Sequence, residues 1–408
     1  MKILIFTQYF WPENFRVNDL AQELANKGHE LTVITGIPNY PSGRIDFEYQ
    51  KNPKKFSKYF SIKIIRAPIF LRGNSSLFRL LLNYISYVIG ASWAAWRLRS
   101  TKFDVIFVYE PSPITVCLPA IFFKFLTRTP IVFWVLDLWP ETLQSLKIIN
   151  SKSILLLVGK MVSFIYRRCD LILGQSKSFE DEINKYSFDK EKFRYFPSWS
   201  EDLFIEKTYK EFPIFLNNEK LFKIVFAGNI GKSQDFESII CAAKILKNEG
   251  IPAKLFIFGD GRMMHYLEDQ VLSLRLSNQI QICGLYPLSD MPSIYKASDA
   301  LLATLKATPA FEKTIPGKIQ SYMLSSKPIL TMLSGEGSRI IDEAQCGITA
   351  ESGDFLKLVD NIKFLMSLNL KDREEMGLNG RNYAQIEFNR VSLIEKLENW
   401  FQELKTIS

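Results

Sequence analysis

A chain of 408 residues, 47% of them hydrophobic, is long enough for two domains with a core each. Its five cysteines (Cys117, Cys169, Cys241, Cys283, Cys346) are scattered without CxxC spacing, and there are only two histidines. That excludes a disulfide frame, a zinc cluster and a histidine-based hydrolase triad.

Met1-Lys-Ile-Leu-Ile-Phe-Thr7 runs straight into an apolar strand without signal-peptide architecture, so the expected location is the cytoplasm, at the inner face of the membrane. Period-2 and short apolar runs predict strands at Lys2–Thr7, Glu30–Thr35, Ile62–Ala67, Val105–Tyr109, Ile131–Leu136 and Leu171–Gly174, with a helix over Asn18–Lys27. The net charge is +8, and residues 44–100 hold eleven Lys/Arg against only Asp46 and Glu48, leaving the rest near neutral. This basic segment is interleaved with Phe, Tyr, Leu and Trp. Nucleic acid is one possible partner for such a patch, but the interleaved residues equally suit an anionic membrane surface, which is the expected partner, with no nucleic acid.

Inside that segment, Leu77 to Trp96 carries one charge, Arg79. It is long enough to span a bilayer. However, Arg79, Asn83, Ser86 and Gly90 fall on one helical face, which fits an amphipathic helix better. A helix at the membrane interface, a buried structural helix and a true span remain the three readings.

Turn residues from Phe196 to Pro213 mark a boundary. A second series follows: strand Lys223–Ala227, helix Asp235–Asn248, strand Lys254–Phe258, helix Arg262–Leu274, strands Ile280–Cys283 and Ala300–Leu305, helix Pro316–Ser325, strand Pro328–Leu333. Strands alternating with helices imply parallel sheets covered on both faces. The expected fold class is α/β, with two Rossmann-like domains over residues 1–200 and 215–387. The C-terminal helix, residues 388–408, is expected to return onto the first domain.

In facing α/β domains, ligands bind outside the carboxyl ends of the strands, so the site is expected in an interdomain cleft. Four glycine-bearing loops end four strands of the second half: Gly228–Lys232, Gly259–Arg262, Gly284–Pro287 and Thr314–Lys318. Glycine lets backbone amides approach a diphosphate, and Pro316, Gly317 and Lys318 open a helix whose N-terminus suits an anion. The expected ligand is a nucleotide diphosphate held by Gly228, Asn229, Lys232, Gly259, Gly261, Gly284, Leu285 and Gly317. Lys318 would meet the charge building on the leaving phosphate. Asp137 and Glu141, just after a strand of the first half, could take or orient a hydroxyl proton. The plainer reading of Asp137 is a helix N-cap.

Lys2-Ile-Leu-Ile, Gly28-His-Glu-Leu-Thr-Val-Ile-Thr35, Ala227-Gly-Asn229, Phe258-Gly-Asp-Gly261 and Ile315-Pro-Gly-Lys318 with Lys327-Pro328 together resemble the family 4 glycosyltransferases of the GT-B fold, over nearly the whole chain. Asp137-Leu-Trp-Pro-Glu141 and Pro38-Asn-Tyr-Pro-Ser-Gly43 resemble the branch that builds bacterial O-antigen, capsule and colanic-acid-type polysaccharides. The resemblance implies sugar transfer from a nucleotide donor with retention of configuration and without metal or other cofactor. It points to a UDP-sugar, an N-acetylated hexose, and to a polyprenyl-diphosphate-linked acceptor, received at Asn14, Arg16, Tyr40 and Glu110.

Three departures stand out. The Arg and Lys that the family places after the first strand of the second domain fall on Asn229 and Gln234. The Glu-x7-Glu pair falls on Lys313 and Ser321, and the His before the acidic residue of the fourth strand is Leu136. Lys232, Lys313 and Lys318 are expected to restore the missing positive charge. A non-catalytic nucleotide-sugar-binding or scaffold protein is the alternative, and a sugar-nucleotide epimerase suffers from the lack of histidines.

Overall fold

Apolar runs of four to seven residues bounded by turns form the strands, and the stretches between them wind into helices that cover both sheet faces. The computed structural model describes residues 1–73, 76–205 and 221–407. Residues 206–220, which take in the end of the expected boundary segment, lie outside the described residues. The chain divides into two units, one made of Met1–Phe196 with Val391–Ser408 and the other of Pro197–Arg390.

Unit 1 has strands β1 (Lys2–Phe6), β2 (Glu30–Gly36), β3 (Lys58–Tyr59), β4 (Ile62–Ala67), β5 (Val105–Glu110), β6 (Ile131–Val135), β7 (Leu171–Gly174) and β8 (Phe193–Tyr195). Their order is β3-β4-β2-β1-β5-β6-β7-β8. All neighbours pair in parallel except β3 with β4. Central strands such as Ile131-Val-Phe-Trp-Val135 are wholly buried, as strands covered on both faces must be. The connections β4 to β5, β5 to β6 and β6 to β7 step the same way across the sheet. Right-handed crossovers then place the helices Leu77–Arg97, Leu118–Thr127 and Lys152–Arg168 on one face. All three contribute to a single core with Phe6, Val108, Phe133 and Ile172.

On unit 1 the last helix, Arg390–Ile407, brings Phe401 to Phe107 at 6.0 Å and Trp400 to Phe196 at 6.0 Å. Glu398 of that helix receives His29 at 2.7 Å and Lys27 at 3.0 Å.

The helix Leu77–Arg97 has its polar stripe turned inward. Asn83 accepts from Gln8 Nε2 at 2.5 Å and donates to the Phe70 carbonyl at 2.6 Å. The Phe70 amide donates to Ser86 Oγ at 2.7 Å. Gly90 lies so close to Pro68 that a Cβ would sit 2.6 Å from its carbonyl oxygen. The helix is fastened through Asn83, Ser86 and Gly90 and buries Tyr87 and Ala91 beside them, while Phe78, Leu81, Ile85, Ile89 and Trp93 face outward. Among the described residues, no helix is long and apolar enough to cross a membrane.

Unit 2 has strands β9 (Phe222–Ala227), β10 (Ala253–Phe258), β11 (Ile280–Gly284), β12 (Ala300–Thr304), β13 (Ile329–Met332) and β14 (Gly347–Ala350), ordered β11-β10-β9-β12-β13-β14 and parallel throughout. Both sheets reverse direction once, between β1 and β5 in unit 1 and between β9 and β12 in unit 2. These are the switch points at which open α/β sheets bind ligands. Strands β3, β8 and β14 have no counterpart in the sequence reading. At two to four residues they carry too little pattern to separate from loop.

Candidate active site

In unit 2 the loops after β9, β10 and β11 are joined backbone to backbone. Gly228 N–H donates to the Phe258 carbonyl at 2.9 Å, Ile230 N–H to Asp260 at 2.8 Å, and Gly259 N–H to Gly284 at 2.8 Å. This explains the glycines. Gly259 sits at φ +140°, and a Cβ there would lie 1.9 Å from the Gly228 carbonyl oxygen; at Gly261 it would lie 2.3 Å from that of Ile230. The expectation that the Gly228–Gly231 amides cradle a phosphate is therefore corrected in part. Those of Gly228 and Ile230 are spent on the neighbouring loop, and only those of Asn229 and Gly231 lack a backbone partner among the described residues.

The joined loops wall a concavity of about 340 Å³ lined by Gly228, Asn229, Gly259, Asp260, Leu285 and Tyr286, with Tyr295 at its base. That volume lies within the range of small-molecule sites. Gly261 and Gly284 belong to the same loops but do not line the concavity, and Leu285 projects with 74% of its surface exposed.

Lys318 begins the helix Lys318–Leu324, with Gly317 at its N-cap. The helix is tied to β9 by Tyr322, whose hydroxyl accepts from Ala227 N–H at 2.9 Å and donates to the Ala227 carbonyl at 3.3 Å. Docked so, half-buried Lys318 lays its ammonium over the Phe226 ring at 3.6 Å and donates to Gln234 Oε1 at 2.8 Å. Gly228 is adjacent, since a Cβ there would lie 3.4 Å from the Lys318 nitrogen. No carboxylate pairs with this ammonium among the described residues, and loss of hydration lowers its pKa to about 7. The solvated lysine of a plain βαβ unit is not what the structure shows.

The other expected donor residues differ in kind. Lys232 is exposed on the short turn before Asp235, and Gly317 is open to solvent. Lys313 ends the turn Pro309–Glu312. Ser321 is buried with its hydroxyl donated to the Lys318 carbonyl at 2.9 Å.

Unit 1 assembles carboxylates. Glu110, at the end of β5 and fully buried, accepts from the amides of Leu136 at 3.3 Å and Asp137 at 3.2 Å. Its other oxygen has no hydrogen-bond partner among the described residues. Burial, then the nearby Asp137, push its pKa well above the carboxylate range. Half-buried Asp137 accepts from Trp139 Nε1 at 3.1 Å and from the hydroxyls of Thr142 and Ser112, and burial raises its pKa too. The helix that follows is capped by Pro140, so Asp137 takes side-chain donors and is no N-cap. Glu141 turns to a different neighbour: Tyr186 donates to it at 3.0 Å and Lys185 lies at 3.7 Å.

Around the loops after β1 and β2, Tyr40 packs on Tyr9 at 5.5 Å and Phe15 at 5.2 Å. Arg72 lies over Tyr40 at 5.4 Å and donates to the Tyr9 hydroxyl at 3.2 Å. Glu13, buried, receives the amides of Asn39 and Tyr40 at 2.7 Å each and so sets the Tyr40 loop. Arg66 donates to the Trp11 and Gly36 carbonyls. Arg16 pairs with Asp19 at 3.0 Å, and Asn14 is exposed. Sequence reasoning missed Glu13, Arg66 and Arg72. An acidic residue in Trp11-Pro-Glu13, directly after the first strand, is the one signal that could have flagged any of them.

Residues 14–199 match the description Glycosyltransferase Family 4, and residues 208–383 match Glycosyl transferases group 1. The chain is a glycosyltransferase with a family 4 domain in its first half and a group 1 domain in its second. WbjE of Pseudomonas aeruginosa, named as a glycosyltransferase, is 28% identical over 64% of this chain and 66% of its own length. WcaI of Escherichia coli (strain K12), named for colanic acid biosynthesis, is 24% identical over 79% of this chain and 81% of its own. Among solved structures, Anabaena Alr3699/HepE in complex with UDP superposes with a TM-score of 0.72 at 14% identity, covering 99% of this chain and 100% of that one. The fold of this glycosyltransferase is GT-B.

Proposed function

We propose that this glycosyltransferase moves a sugar, an N-acetylated hexose, from a UDP-sugar to a polyprenyl-diphosphate-linked saccharide, with retention and without a metal, in the synthesis of a bacterial surface polysaccharide. One observation carries the proposal: the Lys318 ammonium stands beside Gly228 at a sheet switch point with no counter-charge among the described residues. A half-buried unpaired cation is costly, and a diphosphate would compensate it. As the sugar–phosphate bond breaks, charge builds on the leaving diphosphate, and a fixed ammonium there lowers the barrier. Gln234, where the family has a lysine, becomes the carbonyl that aims Lys318. Unit 1 supplies the acceptor's groups: Asp137 to orient the attacking hydroxyl, and Arg72 among its aromatic neighbours for the acceptor phosphate. The basic segment 44–100 favours an anionic membrane surface, where such an acceptor resides. WcaI's name and the UDP held by HepE agree with the substrate classes.

Thermal unfolding with uridine nucleotides tests the donor. At 100 times Kd a ligand adds about 2.7 kcal/mol. If no uridine nucleotide raises the midpoint, the donor assignment fails. Release of UDP on adding a polyprenyl-linked acceptor, in excess EDTA, tests transfer. Activity that vanishes with EDTA and returns with Mg²⁺ would sink the metal-free scheme.

A further inference from the structure

The helices Leu77–Arg97, Leu118–Thr127 and Lys152–Arg168 lie side by side on one face of the unit 1 sheet, the first packed on the second and the second on the third. Their inner sides fill the core, and their outer sides should be polar. They are not. On the first helix Phe78, Leu81, Ile85, Ile89, Trp93 and Trp96 repeat every three or four residues and are 46–69% exposed. On the second, Phe125 is 84% exposed with Phe122 and Leu126 beside it. On the third, Leu156 and Leu157 are 69% and 68% exposed. No Asp or Glu occurs from residue 49 to 103, from 111 to 136 or from 142 to 169.

The three helices connect parallel strands, so they point the same way and end together. At that end stand Arg97, Arg99, Arg128, Arg167 and Arg168, none with an ion-pair partner among the described residues. The helix dipole favours cations there, which accounts for one or two per helix. It does not account for guanidinium groups lying on the exposed rings: Arg97 over Trp93 at 4.9 Å, Arg99 over Trp96 at 4.0 Å, Arg168 over Phe164 at 3.7 Å. Exposed tryptophan beneath arginine fits the depth where acyl chains give way to phosphates.

The geometry points to this three-helix face as the surface that seats on an anionic lipid bilayer, its apolar stripes entering the acyl boundary and its arginines meeting headgroup phosphates. The occupant follows from charge: Arg97, Arg99, Arg128, Arg167 and Arg168 are cations without a carboxylate partner among the described residues, the one carboxylate beside them, Asp170, is taken by Lys124, and an anionic lipid surface offers phosphates to all five at once. The inference deepens the membrane part of the proposed function and changes its physics. Of the basic segment, Arg66 is taken by backbone carbonyls and Arg72 by Tyr9. Attachment therefore rests first on apolar contact from three helices, two of them outside residues 44–100, with Arg97 and Arg99 as that segment's share of the headgroup contacts.

Vesicle co-sedimentation of the full chain decides, using phosphatidylcholine with and without phosphatidylglycerol. The protein should bind the anionic vesicles and keep a measurable part of that binding at 1 M salt. Phe125→Glu with Leu157→Glu should lower partitioning at least about tenfold. The melting temperature and protection by UDP should not change, because both side chains point to solvent. UDP protection reports on the donor reading independently of lipid. Binding equal to wild type in the double variant, full release of wild type by salt, or a stable dimer in solution that the double variant abolishes would each overturn the assignment.

Discussion

The candidate sites of the two units are built from different materials. In unit 2 the scaffold is backbone: three loops hydrogen-bonded carbonyl to amide, with one side chain, Lys318, supplying charge. In unit 1 the scaffold is side chain: Glu110 holds the amides of the Asp137 loop, and Glu13 holds those of the Tyr40 loop. A backbone scaffold tolerates most substitutions but not a Cβ at a closed glycine. A side-chain scaffold should yield to exchanges that remove its acceptor oxygens and tolerate those that keep them. The difference suits what the proposed function asks of each, a diphosphate with fixed charge in one and a hydroxyl that loses a proton in the other.

Gly259→Ala should break the first scaffold most severely. Its Cβ would meet the Gly228 carbonyl oxygen at 1.9 Å and force the loops apart. A loss of about 3 kcal/mol or more in unfolding free energy and of all UDP protection is expected. Wild-type stability would show that the loops are not joined as described.

Lys318→Ala should lower turnover by about 10²-fold or more, since a leaving-group cation acts chiefly in the transition state. Stability should hold or rise, because the variant removes a poorly hydrated, unpaired charge. Unchanged turnover with a normal melting curve would remove Lys318 from the chemistry. This residue also shows how far the sequence could be read. Ile315-Pro-Gly-Lys318 marked a phosphate loop, but the enclosure of the ammonium by Phe226 and Gln234 depends on strands that meet only in the folded sheet. The inward stripe of the Leu77 helix was legible as a stripe. Its direction was not, because helix periodicity says that polar residues share a face, and only Gln8 and Phe70 say that the face is bonded inward. Glu13, Arg66 and Arg72 lie in loops without periodicity, so nothing local announced them.

Asp137→Asn and Glu110→Gln should separate orientation from scaffolding. Asn keeps the hydrogen-bonding shape but not the charge, and a fall in kcat of about 10- to 100-fold is expected with little change in the melting temperature. Glu110 is held toward its protonated form, which Gln imitates, so Glu110→Gln should stay within about threefold of wild type. Equal losses in both would mean that Glu110 acts as an ionised base.

Donor affinity should depend on pH through Lys318. Between its pKa of about 7 and the ordinary 10.5 the folded chain holds less of this proton than the unfolded one, so the group's contribution to stability rises with pH across that window. Binding of an anion restores the proton. Affinity should therefore be level below pH 7 and fall above it by up to about tenfold per unit. A UDP-sugar is the right probe, because its diphosphate diester does not titrate there. Calorimetry in buffers of different ionisation enthalpy should show proton uptake at pH 8, which Lys318→Ala abolishes. A flat profile from pH 6 to 9 would mean that the ammonium is already charged in the free enzyme.

Lys232→Ala should have the smallest effect and is the sharpest test of where the family's missing cation went. Both Lys232 and Lys318 flank Gln234, the place of the absent lysine. Lys232 is exposed on a short turn, free to rotate and screened by water, so its attraction for a phosphate is worth well under about 1 kcal/mol. Lys318 is anchored through a helix that Tyr322 ties to β9, and its charge acts with little screening. A loss of about twofold in kcat/KM that disappears at high salt is expected for Lys232→Ala. A loss approaching that of Lys318→Ala, and insensitive to salt, would show that the turn closes over the diphosphate and that the exposed lysine, not the enclosed one, carries the leaving-group charge.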